Sequence, residues 1–351
     1  MLNKKRLVEL DIVKGITIFL VVFGHAGASE GMLGQTLSAF RMPLFFLVSG
    51  YLFSNSKYLN NFKLLLVDKI RTLILPYFVF CLMSAIVWYF LSSIQNVDVQ
   101  WGKPIFGMIY GNGNWIIGNI PIWFLPCLFC TLVIFVLIQK LLIKNSLPAK
   151  IIIFSLIGIA GYLISKISWM PWGLDVALVA LPFVYLGGVL KEIRVLYNHK
   201  IMISATFLSL VVFIISLIYN THVDMNNRIY GNLFLFYVGG ISGAFVVLFL
   251  CKYILSKIKI VSLTFSYMGM QSILILGFHG SIGLNAVSVL NEKVNIGFLG
   301  NPLISSIIAI SISLCLGLGI NKIPLLSFLF KGTTISIKKS NIDSGKNVVS
   351  K

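Results

Sequence analysis

Charge is scarce in this chain: Asp, Glu, Lys and Arg make up 11% of its 351 residues, against roughly a quarter in soluble globular proteins. The shortage falls on the acids, with ten Asp and Glu against 28 Lys and Arg. Too little charge is left to cover the surface of an ordinary water-soluble globule. With 58% hydrophobic residues, in repeated runs long enough to span a bilayer, the composition predicts an all-α, polytopic integral membrane protein. Cysteine is also sparse, and Cys81, Cys127, Cys130, Cys251 and Cys315 all fall inside apolar runs. Cys127 and Cys130 form a C-x-x-C that in a soluble strand-helix setting would suggest redox chemistry. Among Phe and Leu at lipid depth they read as small packing groups. No metal site and no strong internal repeat is expected.

The apolar runs predict ten spans, at roughly 8–28, 36–54, 72–94, 120–140, 151–167, 173–190, 201–219, 230–251, 265–288 and 303–321. A net charge of +18 would point to nucleic acid in a soluble protein. Here the gaps between spans decide its meaning. Twenty-two of the 28 Lys and Arg fall on the side that holds the N-terminus, and only Lys103, Lys166, Arg228 and Lys293 fall on the other. Lys14 and Arg41 lie within spans. This unbroken alternation is the positive-inside pattern for ten spans with both termini cytoplasmic, so the basic charge reads as topology and no nucleic-acid partner is expected.

Lys4-Lys5-Arg6 ahead of an apolar run, with Ala26-Gly27-Ala28 behind it, resembles a cleavable signal peptide. Asp11, Lys14 and His25 interrupt that run, and its removal would invert every later gap, so the segment is expected to remain as the first span. The organisation predicted is a membrane domain over 1–331 and a polar, disordered cytoplasmic tail over 332–351. The longest gap, about 95–119, is rich in Gly, Asn and Trp and is expected on the outer side.

Three ionisable residues on the first span carry the chemistry. Lys14 and His25 are eleven residues apart, three turns plus about 20°, and so share a face while standing about 16 Å apart along the axis. Asp11 lies one turn before Lys14. The bland reading is that Asp11 and Lys14 neutralise one another near the cytoplasmic surface and His25 is an interfacial histidine. The functional reading is that His25, able to accept and donate a proton near neutrality, is a general base. The second span contains Arg41-Met42-Pro43-Leu44-Phe45-Phe46-Leu47-Val48-Ser49-Gly50-Tyr51, in which Pro43 and Gly50 have packing explanations and Arg41 is costly without a partner. Lys69-Ile70-Arg71 at the mouth of the third span reads either as positive-inside charge or as a phosphate-binding pair.

Taken together these motifs resemble the acyltransferase 3 family of membrane O-acyltransferases, in its fucose 4-O-acetylase-like branch. They are Asp11-x-x-Lys14-Gly15 with Gly24-His25, the Arg41 to Tyr51 run, Lys69-x-Arg71 before Leu75-Pro76-Tyr77, Trp123-Phe124-Leu125, Phe183 to Gly188 and Ser272 to His279. The resemblance implies His25 as the essential histidine, with Lys14 and Asp11 as its companions in the catalytic set. Lys14 stands where many members carry arginine, so the charge is kept and the bidentate fork is lost. Lys69 and Arg71 are then expected to hold the phosphates of a cytosolic acyl-CoA, and Arg41, Ser49, Trp123 and His279 to line the site. The implied reaction moves acetyl from acetyl-CoA to a hydroxyl of a cell-surface or lipid-linked glycan, in the cell membrane. Direct transfer and an acyl-histidine relay both fit these residues. The alternative is an exporter of a lipid-linked glycan, which has no need of paired cations for coenzyme A. For the enzyme, a cavity is predicted between the first, second, third and ninth spans with His25 in its wall.

Overall fold

The computed structural model describes residues 7–94, 102–193, 198–294 and 297–334. Among them there is no β-strand, only an isolated bridge between Asp224 and Ile229. Nine helices among the described residues are long and apolar enough to cross a bilayer: Val8–Ala28, Phe62–Ser93, Ile120–Leu141, Leu147–Ile167, Pro171–Glu192, His199–Tyr219, Leu233–Lys257, Ser272–Lys293 and Pro302–Lys322. The remaining expected span, the second, is the helix Gly31–Leu52. Its 22 residues reach about 33 Å, but Gln35, Thr36, Ser38 and Arg41 dilute its apolar character. Burial and internal hydrogen bonds let it stay polar. The Gln35 amide donates to the carbonyls of Leu217 at 3.0 Å and Asn220 at 2.8 Å, so its polar face is satisfied by the seventh span and the loop after it.

Glycines set the helix contacts. A Cβ on Gly50 would sit 2.0 Å from the Val184 carbonyl oxygen, and one on Gly187 would sit 2.0 Å from that of Leu47. The second and sixth spans therefore touch backbone to backbone, a contact that any side chain would forbid. A second reciprocal pair joins the first span to the helix Lys259–Met270, where a Cβ on Gly15 or Gly269 would come 1.9 Å from the carbonyl oxygens of Phe265 and Asp11. Gly269→Ala should consequently force these helices apart and cost about 1–3 kcal/mol, read as a lowered unfolding midpoint in detergent. An unchanged midpoint would contradict this contact. The fourth and sixth spans are largely buried, whereas the fifth and seventh present most of their surface outward, with Phe207 and Tyr219 more than 70% exposed. That gradient is expected where lipid is the outer solvent.

Two expectations need correction. The ninth span is not one helix over 265–288: Lys259–Met270 stops, Gln271 takes a non-helical ψ of 11°, and Ser272–Phe278 begins a new helix. The reason is local, because the Gln271 backbone N–H bonds back to Tyr267 and Met268 while its buried side chain accepts from Lys331 Nζ at 3.2 Å. The third span begins ten residues early, since the cytoplasmic-type stretch Phe62–Lys69 is already helical and runs through Ile70–Ile74 into Leu75–Ile94. Of the expected tail, residues 335–351 lie outside the described residues, as do Lys4, Lys5, Arg6, Arg194 and residues 95–101 of the longest gap. Four of the cysteines are buried, Cys315 is exposed, and none is disulfide-bonded.

Candidate functional site

The first span is regular as far as Phe23 and then widens into a π-type turn, Gly24–Ala28, in which Gly27 adopts φ 112°. His25 lies in that turn. Such widened turns insert an extra residue and push side chains off the helical stripe, and they recur at functional sites. The described residues contain three of them, and each coincides with a motif residue. Ile70–Ile74 follows Lys69 and contains Arg71, and His279–Leu284 opens with His279.

Two of the turns face each other. The rings of His25 and His279 lie 5.5 Å apart, centroid to centroid, at 38°. His279 is fully buried. Its Nδ1 sits 2.8 Å from the Ile275 carbonyl oxygen and 3.1 Å from that of Leu276, so Nδ1 must carry hydrogen and donate, which leaves the lone pair of the neutral ring on Nε2. That nitrogen has no hydrogen-bond partner among the described residues. His279, expected to line the site, is bonded to backbone carbonyls and stands beside His25, but it lines neither of the two cavities at His25.

His25 stands where two cavities meet. The first, of about 200 Å³, extends along the first span from Lys14 past Ile18 and Val21 to His25. Met42, Phe45 and Ser49 of the second span, Leu73, Ser272, Ile273 and Leu276 complete it, together with Pro121, Trp123, Phe124, Leu125 and Leu128. The predicted cavity between the first, second, third and ninth spans is thus present, and the fourth span adds a wall that includes Trp123. Its lining is chiefly apolar, with Lys14 at one end and His25 at the other. The second cavity, of about 390 Å³, opens beyond His25 and is more polar than the first: Arg41, Asn114, His222, Asp224, Asn226 and Asn227 share its wall with Val21, Met42, Ile120 and Trp123. Val21, His25, Met42 and Trp123 belong to both.

Arg41 reaches this junction because residue 24 is glycine. A Cβ there would come 1.9 Å from Arg41 Nη1, so the guanidinium lies directly over the backbone that carries His25. Trp123 stands on the other side, at the end of the short 3₁₀ segment Ile120–Trp123 that begins the fourth span. Asn119, one residue before that segment, donates from Nδ2 to the Gly277 carbonyl at 2.6 Å and so ties it to the His279 turn.

At the other end, Lys14 Nζ is paired with Asp11 at 2.8 Å yet still lines the cavity, so the neutralising pair and the cavity wall are one arrangement. Lys69 and Arg71 do not line the cavity. They flank its end through Leu73, which does. Lys69 Nζ lies 5.6 Å from the Tyr58 ring centroid, and Arg71 Nη2 lies 3.4 Å from Asp68. Asp68 is shared with Lys57 at 2.5 Å, and the contact holds the exposed Lys57 amine above its ordinary pKa. Arg71 Nε is buried without a hydrogen-bond partner among the described residues. The short helix Pro324–Lys331 folds back onto this region, with Phe330 packed on Phe80 and Phe278 and Gly332 against the Arg71 carbonyl. Lys331 thereby bonds Gln271, the neighbour of cavity-lining Ser272, and burial draws its amine below the ordinary lysine pKa.

The loop between the seventh and eighth spans escaped sequence reasoning. It supplies His222, Asp224, Asn226 and Asn227, and its anchor is a buried ion pair in which Arg228 Nε and Nη2 donate to the two Asp175 oxygens at 2.8 and 3.0 Å. Nη1 also donates to Asn112 Oδ1 and to the Asn226 carbonyl. The arginine pays for this reach with a left-handed φ of 57°. The only sequence signal was an aspartate and an arginine on the side of the protein that is otherwise poor in charge.

A bundle of apolar helices thus carries a histidine pair, with His25 in the wall shared by a largely apolar cavity and a more polar one. Residues 7–321 match the acyltransferase 3 family, described as an acyltransferase domain, and the chain belongs to that family. It is on that basis a membrane acyltransferase. No curated protein and no solved structure matches it.

Proposed function

We propose that the protein is an O-acetyltransferase of the cell membrane, close to the fucose 4-O-acetylase-like branch of its family, that transfers acetyl from cytosolic acetyl-CoA to a sugar hydroxyl of a surface or lipid-linked glycan. The observation that carries this reading is the position of His25 in the wall shared by an apolar and a polar cavity. The apolar cavity suits the slender acyl-bearing arm of the donor, and the polar one suits a hydroxyl-rich acceptor.

Lys69 and Arg71, with Lys14 nearer the base, offer cations to the donor's phosphates at the cytosolic mouth. The acceptor hydroxyl attacks the thioester carbonyl carbon as His25 removes its proton. The oxygen of the tetrahedral intermediate gains negative charge, and Arg41 is the nearest cation to stabilise it. Collapse breaks the carbon–sulfur bond, the acetyl group stays on the sugar oxygen, and the thiolate recovers a proton from His25. His279, with its lone pair on Nε2, is a positioning partner for the His25 ring, and Asp11 holds the Lys14 side chain in place through its ion pair.

Thermal unfolding of the purified protein with and without coenzyme A tests the donor site. Saturable stabilisation, about 2.7 kcal/mol at a hundredfold excess over Kd, is expected and should vanish in Lys69→Ala/Arg71→Ala. Mass spectrometry of surface glycans from cells with and without the protein should then show one acetyl group fewer without it. No stabilisation and no glycan change would instead support export of a glycan.

A further inference from the structure

The polar cavity does not end at its own wall. Asn114 also borders an open groove of about 460 Å³ formed with Tyr110, Trp115, Ser168 and Trp169. Three aromatic rings, an amide and a hydroxyl thus converge on one concave surface next to the polar cavity, on the side of the molecule away from Lys14.

Tryptophan and tyrosine near a membrane surface are commonly interfacial anchors. Three features distinguish this group. First, it is held in shape from behind. Tyr110 donates its hydroxyl to the Trp169 carbonyl at 2.6 Å, Arg228 lies over the Trp169 ring at 4.4 Å, and Phe106 meets Trp115 edge-on at 5.1 Å. Second, Trp115 is still 48% exposed despite that support, so its ring is presented and not buried. Third, the groove shares a residue with the cavity that holds His25. Anchors need none of these, because each acts alone with its polar edge toward water.

We propose that this groove is a second acceptor subsite, which binds pyranose units of a glycan chain next to the unit being acetylated. The inference rests on the reading of the acceptor as a sugar. Pyranose rings carry an apolar face of C–H groups that stacks on aromatic rings, while their rim of hydroxyls needs amide and hydroxyl partners. The groove offers both kinds of contact. Its continuity with the polar cavity through Asn114 lets one chain occupy the two at once, with the reacting hydroxyl at His25 and the following units on Trp115 and Trp169. The acceptor is therefore a chain of sugars, and its length is sensed outside the reacting centre.

The test uses the full-length protein in detergent with acetyl-CoA. The acceptors are de-O-acetylated saccharides released from the surface glycan of the cells that make it, separated into single units and longer chains. Wild-type kcat/KM should be higher for the longer chains. Trp115→Ala and Trp115→Leu should remove about three- to tenfold of it for longer chains, chiefly through KM, and leave single units unaffected. Trp115→Tyr, which keeps a ring, should retain the preference. A wild-type enzyme indifferent to chain length overturns the subsite while leaving the sugar reading intact, as does a loss in both variants that is equal for single units and chains. Acetyl transfer to no saccharide of any length overturns the sugar reading itself, and the subsite with it.

Discussion

Replacing His25 with alanine should lower acetyl transfer by about 10²- to 10⁴-fold, the usual contribution of a positioned general base, while the thermal stabilisation by coenzyme A stays as in the wild type. The separation of the two readouts follows from the geometry. His25 stands at the far end of the apolar cavity from Lys14, about 16 Å along the helix axis, so its ring has no part in holding phosphates. It is also not a packing residue, because its side chain opens into both cavities. Steady-state transfer rates and coenzyme A melting curves on the same preparations decide the matter. Retention of more than a tenth of wild-type activity by His25→Ala would exclude it as the base. Loss of coenzyme A stabilisation together with activity would show that the substitution had disturbed the fold.

Arg228→Ala carries the largest expected cost in stability. It leaves the Asp175 carboxylate, which is 0% exposed, without the two hydrogen bonds that now neutralise it. Removing one partner of a buried ion pair costs about 3–5 kcal/mol, because the surviving charge has no compensation. Asn112 and the Asn226 carbonyl lose a donor in the same step. The unfolding midpoint should drop sharply, and the loop with His222, Asp224, Asn226 and Asn227 should lose its register on the polar cavity. The paired change Asp175→Asn/Arg228→Gln, which removes both charges, should recover part of the stability. Equal losses in the single and paired variants would mean that packing of the long side chain, and not the charge, holds the loop.

Much of the scaffold was legible in the sequence because a bilayer imposes a length on every helix and a charge rule on every gap. The spans from the fourth to the eighth and the tenth match their expected positions within a few residues. The ninth did not, since a hydropathy profile has no means of seeing that Gln271 turns its backbone out of the helix and holds Lys331. The first-span pattern was legible for a similar reason: Lys14 and His25 share a helical face, and a shared face became a shared cavity. What could not be read was the wall contributed by residues remote in sequence. Pro121, Leu128 and the loop at 222–227 reach the site only through the bundle's tertiary packing, whereas Trp123 belongs to a motif already visible in the sequence. Lys69 and Arg71 lie beside the end of the cavity that Leu73 lines, and neither lines it.

The lining of the inner cavity has a consequence beyond donor recognition. Two cavities that share Val21, His25, Met42 and Trp123 form an incomplete path through the bundle, and such a path invites ions and protons to leak along it. Ile18, Val21, Phe45, Leu73, Leu128 and Leu276 offer water almost no hydrogen-bond partners, and a narrow apolar passage of this kind favours dewetting. The side chains proposed to take the donor's arm therefore also discourage a continuous column of water between the two ends of the bundle.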